Sequence, residues 1–164
     1  MQKPLQELLD TLPQIGRIDW IAVRPERKAP MLVCDSVQLQ AGRGIVGDRY
    51  NGKSGKRQVT LIQSEHLLAI AGFLARESLD PAILRRNIAV SGINLLALKG
   101  QQFYLGEALL EFTGLCHPCS AMEAALGAGG YNAVRGHGGI TARIVQGGII
   151  YVGDKMRVLT SLHR

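Results

Sequence analysis

No stretch of this sequence approaches the roughly 20 consecutive apolar residues that cross a bilayer. Its N-terminus, Met1-Gln2-Lys3-Pro4-Leu5-Gln6-Glu7-Leu8-Leu9-Asp10, has neither a long apolar run nor a small-residue cleavage site. No membrane partner and a cytoplasmic location are therefore expected. Cysteine is scarce, with three residues in 164. An odd number without a secretory signal argues against a disulfide framework and for thiols in a reducing compartment. A second Cys-x-x-Cys and a close histidine pair are missing, so the usual ligand spacings of zinc sites are not present. Flavin and iron–sulfur motifs are missing too, so any electrons would come from a separate donor. Aromatics make up only 5% of the chain. They do not interleave with the basic residues in the way base stacking requires, which argues against a nucleic-acid partner.

What the sequence does have is basic charge and glycine. Lys and Arg number 19 against 13 Asp and Glu, for a net charge of +6. That excess favours a small anionic ligand without naming one. It is concentrated between Arg17 and Arg57, where nine basic residues (Arg17, Arg24, Arg27, Lys28, Arg43, Arg49, Lys53, Lys56, Arg57) meet four acidic ones. Such a stretch reads either as a solvated loop or as a basic loop that closes over a phosphorylated ligand. Twenty glycines exceed the usual share of about 7% and imply many tight turns.

The length fits one domain spanning 1–164, with its core at about 18–158 and a short N-terminal helix in 1–13. The pattern predicts a helix over Leu5 to Leu12, strands over Ile18 to Val23, Met31 to Leu39 and Gln58 to Ile62, and a glycine-rich loop between the last two. Ser64 is placed to cap a helix carrying Leu67, Leu68, Ala71 and Leu74. Asp80-Pro81 opens a short helix ending near Arg86, and Asn87 to Val90 returns to strand. Gly100 to Leu109 resembles Gly147 to Met156, which predicts two similar strand–turn–strand corners of one sheet. Many short strands with glycine turns predict a mainly β (α+β) fold, a closed or nearly closed β-barrel with a few peripheral helices.

Three clusters carry candidate chemistry. In the first, a strand (Ala108 to Phe112) runs into Cys116-His117-Pro118-Cys119, and a helix from Ser120 to Leu126 follows. A thiol at a helix start feels the positive end of the dipole, and thiolate is the form that attacks and that binds soft metals. The pair reads as buried small residues, as part of a metal site, as a dithiol oxidoreductase, or as one reactive or metal-ligating thiolate with a helper. The βαβ setting of a thioredoxin-like dithiol is missing. The second cluster, Arg85-Arg86-Asn87, offers a fork of donors for phosphate or carboxylate, or else a basic helix end. In the third, around Gly136-His137-Gly138-Gly139, the glycines form either an anion nest or a turn before the strand Ile140 to Gln146. Cys34 reads as a buried small residue, and His66 and His163 as surface residues.

Taken in order, these blocks resemble the MOSC family, named for the C-terminal domain of molybdenum-cofactor sulfurase. Gly44-Ile45-Val46-Gly47-Asp48-Arg49 resembles the family's glycine–Asp loop, and Arg57 to Ile62 the strand after it. Arg85-Arg86-Asn87-Ile88-Ala89-Val90-Ser91-Gly92 resembles its Arg/Glu-x-Asn strand start. Cys116 to Cys119 resembles its cysteine block, and Val152-Gly153-Asp154 its closing hairpin. Where many relatives have His-Ala-Gly after Gly-Asp-Arg, this chain has Tyr50-Asn51-Gly52. The resemblance implies a barrel that binds molybdenum cofactor (molybdopterin) or transfers sulfur through a cysteine. By position, Cys119 matches the molybdenum ligand of relatives that reduce N-hydroxylated compounds. Arg85 and Asn87 match residues near the pterin phosphate, and Thr60 and Arg57 lie on the strand lining the same pocket. Arg49 and His137 are further candidates for cofactor contact, and Cys116 is the helper thiol. The implied partner is a separate electron donor or, because the family also occurs beside pyridoxal-phosphate sulfurase domains, a cysteine-desulfurase-type sulfur donor. The alternatives are a persulfide sulfur carrier, a dithiol oxidoreductase and a non-catalytic anion-binding module.

Overall fold

The computed structural model describes residues 2–50, 52 and 54–160; Asn51, Lys53 and His163, named above, lie outside these. Seven strands close into a mixed barrel. Around its wall run β1 (Gly16–Val23), β11 (Lys155–Val158), β7 (Gln102–Leu105), β8 (Ala108–Leu115), β9 (Ile140–Gln146), β5 (Val59–Gln63) and β6 (Ile88–Ser91), which returns to β1. Closure is made by Gly16 and Arg17 opposite Met156 and Lys155. All neighbours are antiparallel except β5 and β6. That parallel pair needs a crossover. α2 (Ser64–Phe73) and the 3-10 turn Pro81–Leu84 supply it.

The barrel interior is filled by alternate residues of the wall strands, among them Ile18, Leu61, Ile88, Phe103 and Leu110, all fully buried. Each such side chain contributes about 1.5–3 kcal/mol by leaving water. β5 is buried on both faces. Val59 and Leu61 point into the barrel, while Ile62 joins an outer core with Leu67 and Ile70 of α2, Leu84, and Met122 and Leu126 of α3 (Ser120–Leu126). This outer layer presses α3 and α4 (Gly130–Val134) onto the barrel on the side where the cysteine turn emerges. Glu123 ties the two helices by accepting from the Gly129 and Tyr131 amides at 2.8 and 2.7 Å.

The barrel and its peripheral helices are those the pattern predicts; several details differ. Met31 to Leu39 is two strands, not one. β2 (Leu32–Cys34) pairs with β1, whereas β3 (Ser36–Gln40) leaves the barrel for a second sheet with β10 (Gly148–Tyr151) and β4 (Gly44–Ile45). The break falls at Asp35, whose carbonyl accepts from the Val152 amide. For the same reason the internal repeat does not make two corners of one sheet. β7 and β8 pair with each other, but β10 and β11 lie in different sheets. The first helix, α1 (Leu5–Asp10), stops before Leu12 and buries no residue. Ser64 does not cap α2, since Gln63 holds the cap position and the Ser64 hydroxyl donates to Asp19 Oδ2 at 2.6 Å. Asp80 does cap its turn, which ends at Leu84 rather than near Arg86.

Candidate functional site

Asp48 organises one end of the site. Its side chain is 1% exposed and accepts from the backbone amides of Arg24 (2.7 Å) and Tyr50 (3.3 Å) and from Asn87 Nδ2 (3.3 Å). Arg24 Nε stands 3.9 Å away, an ion pair rather than a hydrogen bond. The Arg49 amide donates to the Arg24 carbonyl. The glycine–Asp loop is thus tied to the end of β1, and Arg24 and Arg49 are brought together across 24 residues of sequence.

Arg85 joins them through its backbone. It closes the 3-10 turn in the left-handed region (φ 56°), and its Nη2 donates to the Ala29 carbonyl at 2.9 Å. A non-glycine residue there costs roughly 1–2 kcal/mol, and such strain clusters at functional sites. Burial pushes the Arg85 guanidinium down from its ordinary value, Arg24 and Arg49 add to this, and Asp48 opposes it. The bend also turns the adjacent Arg86 the other way. Arg86 is 94% buried, and its Nε and Nη1 donate to the Gly138 and Leu84 carbonyls, both at 2.8 Å. Its Nη2 is buried without a partner among the described residues. Burial lowers its pKa too, with Cys116 and Cys119 opposing that shift and Arg57 and Arg24 adding to it.

The cysteine turn forms the opposite wall. Cys119 is exposed at the cap position of α3, and Cys116 is 3% exposed. The Cys116 amide donates to the Gly139 carbonyl, and Arg57 Nη2 lies 3.9 Å from Cys116 Sγ. Gly138 explains how the turn sits so low. A Cβ there would lie 2.0 Å from the Cys116 carbonyl oxygen and 3.4 Å from Arg86 Nη2. Gly138 and Gly139 therefore serve close backbone approach, and their carbonyls accept from Arg86 Nε and the Cys116 amide.

Between these walls lies a cleft of about 870 Å³ lined by Arg24, Arg49, Arg57, Arg85, Arg86, Tyr50, Thr60 and Cys119, a size that suits a cofactor. The Tyr50 hydroxyl, like Arg86 Nη2, is buried and has no hydrogen-bond partner among the described residues. The structure thus brings together Cys119, Arg49, Arg57, Thr60 and Arg85 of the residues singled out from sequence. It places Asn87 behind the wall, 2% exposed. Asn87 Oδ1 accepts from the Thr60 amide and hydroxyl, and Nδ2 donates to the Ala22 carbonyl and Asp48. Removing this amide in Asn87→Ala leaves several buried groups without partners. It is expected to lower stability by about 2–3 kcal/mol, read as a fall of about 5–10 °C in Tm.

His137 is not among the residues lining the arginine cleft. Its ring packs 4.9 Å from His66 and 5.6 Å from Phe73, so His66 is half-buried rather than a plain surface residue. Burial and then His137 push the His66 pKa down, with Glu65 opposing. A smaller cavity of about 150 Å³ lies beside His66, behind the turn, and reaches Cys116. Arg24, Arg86 and Tyr50 were not named as site residues from sequence. Arg86 had a signal in the arginine pair, Arg24 in the basic stretch from Arg17 to Arg57, and Tyr50 in its place where many relatives have histidine.

A family model described as the MOSC domain matches residues 41–157. The chain belongs to the MOSC family. That family is associated with molybdenum-cofactor binding and sulfur transfer. Among solved structures, the YuaD protein of Bacillus subtilis is similar at 21% identity and a TM-score of 0.77, with 90% of this chain and 98% of that one covered. YiiM of Geobacillus stearothermophilus is similar at 18% identity and a TM-score of 0.69, with 88% and 75% covered. YiiM of Escherichia coli gives 18% and 0.67, with 88% and 70% covered. These are likenesses of fold. The comparison with curated proteins gives no significant match. No described helix of this MOSC protein is long and apolar enough to cross a membrane.

Proposed function

We propose that the cleft binds molybdenum cofactor, with Cys119 as the protein's metal ligand and Arg24, Arg49 and Arg85 on the terminal phosphate. The observation that carries this reading is one cleft lined by five arginines and the exposed Cys119, with a buried Arg86 N–H left without a partner among the described residues. Arginine forks suit phosphate, and a thiolate suits a soft metal centre. Among the described residues, no three His, Cys, Asp or Glu side chains are grouped to hold a metal ion. A metal here would therefore take most of its ligands from the cofactor, as a pterin dithiolene provides. When bound, that group supplies two-electron redox chemistry, which suits reduction of N-hydroxylated compounds fed by a separate electron donor. Asn87 and Thr60 act as positioning residues that hold β5 against the Asp48 loop.

A second reading is sulfur carriage, in which Cys119 holds a persulfide received from a cysteine-desulfurase-type donor. The Arg57 contact with Cys116 favours it, since a cation beside the turn would stabilise an anionic sulfur. Metal and pterin analysis of protein from a molybdenum-replete host separates the two. Stoichiometric molybdenum and pterin are expected. Arg85→Ala keeps the fold and should weaken phosphate retention about tenfold or more, the effect of one charged hydrogen bond. Cofactor-free protein that gains one sulfur from a desulfurase would establish the second reading instead.

A further inference from the structure

The five arginines divide into two groups. Arg24, Arg49 and Arg85 gather around Asp48. Arg57 and Arg86 lie against the cysteine turn, one 3.9 Å from Cys116 Sγ and the other pinned by Gly138 and Leu84. The outer trio is enough for one phosphate. The inner pair includes Arg86, a residue of the cleft wall whose Nη2 is buried and has no acceptor among the described residues. An unsatisfied buried donor of this kind is costly, and an anion entering the cleft would satisfy it. The exposed thiol of Cys119 lines the same cleft.

We propose that Arg57 and Arg86 form an inner subsite for a small divalent sulfur oxyanion of the thiosulfate class, held with its outer sulfur toward Cys119. Sulfate and phosphate have the same charge and shape, but only this class carries an atom that the thiol can take. In the step, the Cys119 thiolate attacks the outer sulfur. A sulfur–sulfur bond forms to Cys119, and the bond to the sulfonate sulfur breaks, its electron pair leaving with sulfite. A persulfide remains on Cys119, and a thiol acceptor carries the outer sulfur away and restores the thiolate. No outside oxidant or reductant is needed. The guanidinium pair has two roles: binding the dianion and stabilising sulfite as it leaves.

This inference rests on the sulfur-carrying reading of Cys119 and does not need the metal. The test uses the full chain, purified from molybdenum-depleted cells and mixed with thiosulfate and a small thiol acceptor. Saturable sulfite release is expected, with Cys119 gaining the mass of one sulfur when the acceptor is omitted. Arg57→Gln, at an exposed position, should raise the half-saturating thiosulfate concentration about tenfold. Arg86→Lys should do the same, and Cys119→Ser should abolish release. Arg157→Gln, whose guanidinium lies over the Tyr104 ring, should behave as the parent protein. Sulfite release no greater than in Cys119→Ser overturns the subsite, as does unchanged saturation in both arginine variants. A persulfide formed with a cysteine desulfurase but not with thiosulfate also overturns it, while leaving sulfur carriage standing.

Discussion

On the proposed cofactor reading, Cys119→Ser is expected to remove essentially all bound molybdenum while leaving the barrel as stable as before. The two halves of this result come from different features of the same residue. Cys119 is exposed, and its side chain makes no cap hydrogen bond to α3. The fold therefore loses little with the sulfur. Serine is among the preferred cap residues, so the substitution should hold stability level or raise it by up to about 1 kcal/mol. The metal, by contrast, loses a soft anionic ligand and gains a neutral hydroxyl that does not ionise near neutral pH. Metal content by elemental analysis should fall to background, with Tm unchanged or slightly higher. Cys116→Ser should divide the effects the other way. Cys116 is buried, and a polar hydroxyl in its place lowers stability, while metal remains bound. Undiminished molybdenum in Cys119→Ser would sink the assignment of that thiol.

The barrel was legible because its signals are local. Short alternating strands and glycine turns survive as patterns in the sequence, and β5, β6, β8 and β9 lie where those patterns put them. The split of β2 from β3 was not legible, since it depends on Val152 bonding back to Asp35, more than a hundred residues earlier. The site divides in the same manner. Cys119, Arg49, Arg57 and Thr60 stand in motifs and reach the cleft. Arg24 reaches it only because Asp48 draws it there. Arg85 and Arg86 are adjacent and chemically alike, yet one left-handed residue sends them to different neighbours. Asn87 has the polar character of a ligand, but its amide is consumed by Thr60, Ala22 and Asp48. His137 sits in a glycine run that suggests anion binding; its ring packs against His66, and Gly138 and Gly139 stand in close backbone contact. A spacing rule shows which residues share an element. It does not show which side chains are already occupied.

Gly139→Ala is expected to prevent folding, or to lower stability by more than about 4 kcal/mol. Gly139 has φ +90°, a region L residues rarely enter, and a Cβ there would stand 1.9 Å from the Leu61 carbonyl oxygen and 2.9 Å from its carbon. Those atoms are backbone of β5, buried on both faces and paired with β6 and β9, so they cannot yield as a side chain would. The Gly139 carbonyl also accepts from the Cys116 amide, so any retreat of this strand start pulls on the cysteine turn. Gly136→Ala is the companion that separates the causes. Gly136 has φ +79° with nothing within 4 Å of the added atom, so it carries the dihedral penalty alone, about 1 kcal/mol. Urea denaturation of both variants tests the difference. If Gly139→Ala unfolds within about 1 kcal/mol of Gly136→Ala, close approach is not what fixes this glycine. If it fails as expected, the height of the cysteine turn in the cleft is set by backbone contact with the barrel, before any ligand binds.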